Sequence, residues 1–116
     1  MTRRRTRKHE RWPPPKTKLI AMIKEAVVDA YTESEQHTGF YTLLDERLAT
    51  PFDTEVLGAA VTVERIDMTG DEQLVAICRR GSSRQAISIL DLPLPNPRPA
   101  GAEWIEAYRL WVAGEW

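Results

Sequence analysis

The chain has 116 residues, 42% hydrophobic and 28% charged, which suits one domain with a real core and is too apolar for wholesale disorder. Its net charge of −1 conceals opposed halves: residues 1–18 hold eight Lys/Arg against Glu10, a net of +7, and residues 19–116 carry a net of −8. No run approaches the ~18 apolar residues of a membrane span, and a single cysteine excludes an intrachain disulfide or a cysteine-only zinc site.

Residues 1–17 lack apolar periodicity, are rich in like charges and end in Pro13-Pro14-Pro15. They read as a disordered basic arm with a short polyproline spacer, and the domain proper is expected over 18–116. Trp12 and the prolines stand where a secretory signal has its apolar core, so a cytoplasmic location is expected. The arm's cluster Arg3, Arg4, Arg5, Arg7 and Lys8 suits a nucleic acid or another polyanion, because clustered cations release counterions from phosphates. A solvated tail fits the same residues.

Over residues 18–31, Ile20, Ile23, Val27 and Ala30/Tyr31 recur at three- and four-residue spacing, one stripe of a helix. A second helix presents Phe40, Leu43, Leu44 and Leu48, and Pro51 stops it. The polar stretch between them closes on Gly39, a residue suited to ending a helix, with Thr38 as a cap for the next. The expected break is therefore at residues 32–39.

The period then changes. Residues 54–57, 60–66, 74–78 and 85–90 are short β-branched and aliphatic runs, separated by Gly58, Met68-Thr69-Gly70-Asp71 and Gly81-Ser82-Ser83. Such spacing predicts an antiparallel meander of four or five strands, either a sheet or a small SH3-like barrel. Pro93, Pro95, Pro97 and Pro99 mark a rigid surface crossing. A last helix over 102–112, with Trp104, Ile105, Tyr108, Trp111 and Val112 as its apolar face, closes the core. The fold class is α+β: two N-terminal helices, the sheet or barrel, and a C-terminal helix.

No catalytic pattern stands out. His9 lies in the arm and His37 in the polar stretch, neither beside a Ser or Cys in a nucleophile arrangement. Cys78 sits in an apolar run and reads as a small buried hydrophobe. A Gly-rich phosphate loop and an HExxH zinc motif are both missing. Arg79, Arg80 and Arg84 flank a turn and suit a phosphate, solvent or a salt bridge to the acidic body. The chain is read as a binding protein, not an enzyme.

The acids of the helical half carry the chemistry. Glu25, Asp29 and Glu33 are spaced four apart, and Glu35 follows in the loop. If the helices fold back about residues 36–39, Asp45 and Glu46 come opposite Asp29 and Glu33. Converging carboxylates raise one another's pKa unless a cation is present. Calcium, which accepts six to eight oxygens at irregular angles, suits them better than magnesium. An acidic face that simply keeps the protein soluble fits as well. The EF-hand pattern is absent, since residues 67–72 put glycine and acids at the wrong offsets and read as a hairpin turn.

Several stretches together resemble a known family. Residues 28–36 (VDAYTESEQ), Gly39-Phe40-Tyr41, Pro51-Phe52, residues 75–81 (VAICRRG) with Gln85-Ala86-Ile87, and residues 90–94 (LDLPL) with 103–108 (EWIEAY) are similar to the small bacterial calcium-binding proteins first described in cyanobacteria. The likeness spans roughly residues 26–112 and none of the basic arm. It implies binding of Ca2+ by acidic side chains outside any EF-hand, with buffering or sensing as the role. The candidate ligands within or just beyond those segments are Asp29, Glu33, Glu35, Asp45 and Glu46.

Overall fold

In the computed structural model, which describes residues 12–116, two helices precede a four-stranded sheet and a third helix follows it. They are α1 (Lys16–Ala26), α2 (Glu33–Arg47), β1 (Phe52–Val56), β2 (Ala59–Met68), β3 (Leu74–Arg80), β4 (Ser83–Ser88) and α3 (Ala102–Ala113). The α+β class expected from the sequence is the observed one. Of residues 12–17, assigned above to the arm, Lys16 and Thr17 open α1 and Trp12 and Pro14 are drawn against the body. Pro14 is buried, Pro15 stands at the N-cap of α1, and the Arg98 guanidinium lies 4.0 Å from the centroid of the Trp12 ring. The Arg3, Arg4, Arg5, Arg7 and Lys8 cluster falls outside the described residues.

The sheet is an antiparallel meander in the order β1-β2-β3-β4, and its edge strands do not pair with each other. It is an open sheet with its core face against the helices, so the SH3-like barrel is set aside. One irregularity phases it. Val63 pairs with Cys78 and Arg65 with Ile77, leaving Glu64 as a bulge. The extra residue puts Val63 and Ile66 on the same face, where strict alternation would send one of them to solvent. Both join Leu74, Ala76 and Cys78 in the core.

The helices differ from expectation in two ways. On α1 the buried stripe is Leu19, Met22, Ile23 and Ala26, rotated from the one anticipated, while Tyr31 is 85% exposed. The break between helices falls at residues 27–32 rather than 32–39. Thr32 caps α2 with a reciprocal box: its hydroxyl accepts from the Glu35 amide at 3.1 Å, and the Glu35 carboxylate accepts from the Thr32 amide at 3.1 Å. That box is visible in the sequence as Thr32-Glu33-Ser34-Glu35. Gly39, expected to end a helix, lies inside α2.

Helix α1 packs chiefly on α3, and α2 on β2 and α3. Ile23, Phe40, Leu44, Ile105 and Tyr108 meet in the shared core. The proline crossing is pinned at both ends: the Thr54 hydroxyl donates to the Pro93 carbonyl at 2.8 Å, and the Ala49 amide to the Ala100 carbonyl at 2.8 Å. Arg109 completes the closure from α3, donating to the carbonyls of Ile89 at 3.0 Å and Leu92 at 2.6 Å and pairing with Glu106 at 3.2 Å.

Candidate metal centre

The short α1–α2 turn distributes the candidate acids. Asp29 occupies the turn in a left-handed conformation, φ 62°, which aspartate tolerates better than most residues. Glu33 and Glu35 stand on the first turn of α2, and Asp45 and Glu46 on its last. Twelve residues of helix separate Glu33 from Asp45, about 18 Å of axial rise. The convergence of Asp45 and Glu46 on Glu33 that a fold-back about residues 36–39 would produce is therefore not observed. Glu25, first in the anticipated acidic stripe, instead pairs with Arg47 at 3.3 Å.

Glu35 is already engaged, because the same carboxylate oxygen accepts from the Tyr31 amide at 2.7 Å and the Thr32 amide. Asp29 and Glu33 are exposed. A second acidic segment, not anticipated from sequence, approaches them: the Ser34 hydroxyl hydrogen-bonds the Glu72 carboxylate, tying the β2–β3 turn to the start of α2. That turn is internally braced. The Thr69 amide donates to the Gln73 carbonyl at 2.9 Å, the Gln73 amide to the Thr69 hydroxyl at 3.0 Å, and the Thr69 hydroxyl bonds the Asp71 carboxylate. Glu72 holds a left-handed φ of 67°. Residues 34 and 72 are far apart in sequence, and no local pattern links them.

The donor chemistry is that of a hard cation, since all these groups offer carboxylate or hydroxyl oxygen. Among the described residues no group of three or more His, Cys, Asp or Glu is arranged to hold a metal ion. Binding here requires exposed side chains to gather, which adds an ordering cost that a rigid loop avoids.

The other polar features of the sheet are structural. Glu64 accepts from Arg79 Nε at 2.7 Å and Arg84 Nε at 2.8 Å, so two of the three turn arginines are committed to a salt bridge. Those hydrogen bonds, Arg84 first, hold the Glu64 carboxyl below its usual range. Cys78 is buried, and burial pushes its thiol up, away from reactivity. Among the described residues no helix is long and apolar enough to cross a membrane.

Comparison with known proteins gives one finding. A family model described as calcium binding matches residues 21–112, most of the chain. No curated protein and no solved structure matches.

Proposed function

The chain belongs to the CcbP family of calcium-binding proteins, and from that premise we propose that it is a non-enzymatic calcium buffer or sensor acting through exposed carboxylates. The ligands proposed are Asp29, Glu33 and the outer oxygen of Glu35, joined by Asp71 and Glu72 from the β2–β3 turn. Asp45 and Glu46, at the far end of α2, fall outside this group. The observation that supports the grouping is the bond from the Ser34 hydroxyl to the Glu72 carboxylate, which brings acids from two remote segments to one end of the molecule.

Electrostatics favour a cation there despite the nearby helix start. The positive end of the α2 dipole amounts to about half a charge, worth roughly 0.3–1 kcal/mol at an exposed position. Several full negative charges outweigh it, and the capping box has already consumed amides at that end. Calcium's irregular coordination tolerates carboxylates supplied by two separate turns, whereas magnesium demands a near-ideal octahedron. Drawing the two turns together would order residues 29–35 and 69–73, a local change that a partner can read.

Thermal unfolding of metal-stripped protein with calcium, with magnesium and with neither tests the proposal. A ligand that binds only the folded state adds about 2.7 kcal/mol at a hundred times its dissociation constant. A clear rise with calcium and a much smaller one with magnesium is expected. No shift at millimolar calcium overturns the reading.

A further inference from the structure

Residues of α2 and α3 line a cavity of about 450 Å³, within the range of small-molecule sites. Glu33, Gln36 and His37 of α2 line one side, and Trp111 of α3 the other. Gln73 and Trp116 complete the rim, and Tyr108 also reaches it. We propose that this cavity binds a small organic cation with an alkylammonium head.

The lining decides the charge of the ligand. Glu33 is its one charged side chain; the rest are carboxamide, imidazole, aromatic and valine groups. An anion meets the Glu33 carboxylate, with Glu72 held close by through Ser34. A neutral apolar molecule would strip water from Glu33 and return nothing for it. An ammonium ion gains both the carboxylate charge and cation–π attraction to the aromatic rings of the lining.

The aromatic wall is assembled in advance. His37 meets Trp111 edge-on with centroids 4.7 Å apart and Tyr108 at 6.2 Å, while Phe40 backs Trp111 at 5.1 Å. His37 Nδ1 is shielded from solvent and has no hydrogen-bond partner among the described residues. The ring packs against its aromatic neighbours Tyr108 and Trp111. Rings immobilised beforehand lose little entropy when a ligand arrives. Carboxamides of Gln36 and Gln73 remain at the mouth to accept a hydrogen bond from a hydroxyl or amine on the ligand.

Titration of the calcium-free full chain with choline, followed through the indole N–H resonances of Trp111 and Trp116, tests this. Two controls run beside it: 3,3-dimethylbutan-1-ol, which has the shape of choline without its charge, and sodium chloride at equal ionic strength. Choline is expected to shift both indole signals with saturation, and the uncharged isostere to bind about tenfold more weakly or worse. Trp116→Ala, at a half-exposed position, and Glu33→Gln are each expected to weaken choline several-fold while the sheet resonances stay in place. The proposal is overturned if the isostere binds as well as choline, if salt alone reproduces the shifts, if no shift appears, or if Trp116→Ala binds choline as the parent does. Because no calcium is present, failure of the calcium reading leaves this result standing, and the reverse holds too.

Discussion

The carbonyl of Ala26, the last residue of α1, abuts the bare α-carbon of Gly39 in the middle of α2, so closely that a β-carbon there would overlap it. A glycine inside a helix costs about 1 kcal/mol relative to alanine. Here that cost permits α1 to end directly on α2, which is what places the short turn at residues 27–32 and brings Asp29 near the start of α2.

Gly39→Ala sets two effects against each other. Helix propensity gains about 1 kcal/mol, but the new methyl meets backbone rather than a flexible side chain, and overpacking of that kind costs about 1–3 kcal/mol. The clash is expected to win, with a net loss visible as a lower urea midpoint. An unchanged or higher midpoint would show that α1 can withdraw freely from α2.

Leu57 presents the opposite case. It holds φ 51° beside Gly58 at φ 78° in the two-residue loop of the β1–β2 hairpin, and it is fully exposed. Asparagine is favoured at that position of such a turn, and a left-handed leucine stores about 1–2 kcal/mol. Leu57→Asn is therefore expected to stabilise the protein by about 1 kcal/mol in chemical denaturation, with no change in the sheet.

Arg109 satisfies two backbone carbonyls in the segment that leads from β4 to the proline crossing. Arg109→Leu keeps an apolar stem and leaves both oxygens without their charged donor. Charge-assisted bonds of this kind are worth about 1.5–3 kcal/mol each. A loss of at least about 2 kcal/mol is expected, with faster amide exchange around residues 89–92. A near-neutral substitution would mean that water replaces the guanidinium there.

Glu64 gives a pH signature. Its folded-state pKa lies below the ordinary value of 4.5, because Arg84 and Arg79 bond its charged form. Its contribution to stability is therefore complete above that ordinary value and disappears as the pH falls through the lowered one. The melting temperature of Glu64→Gln should lie below the parent's at pH 7 and converge with it as the pH falls through the lowered pKa of Glu64. Parallel pH profiles would contradict the assignment.

The proposed calcium ligands are separable by pairs. Asp29→Asn with Glu33→Gln is expected to remove most of the calcium-induced thermal shift. Asp45→Asn with Glu46→Gln, at the other end of α2, is expected to retain it. A reversal of the two results would move the site to the C-terminal end of that helix.

Much of the fold was legible because its causes are local. The runs around residues 54–57, 60–66, 74–78 and 85–90 alternate with turn residues, and all four became strands within a few residues of the expected bounds. Apolar periodicity over 102–112 likewise located α3, and Trp104, Ile105 and Tyr108 of its expected face are buried, whereas Val112 is exposed. The likeness of residues 26–112 to a calcium-binding family was also carried by the residues themselves, and the family match confirms it.

Other features depend on what an element meets. Helix α1 carries two overlapping apolar stripes, and only its packing on α3 selects Leu19, Met22, Ile23 and Ala26. Gly39 has the same local signature whether it ends a helix or admits a neighbour's carbonyl. Four strands make a barrel or an open sheet according to whether β1 and β4 meet, and no single strand encodes that. The approach of Ser34 to Glu72 belongs to the same class. Turn and strand preferences are set within a few residues by backbone sterics and neighbouring side chains, so sequence alone carried them. Contacts across the chain depend on how the core closes, so tertiary packing decided which carboxylates and aromatic rings came together.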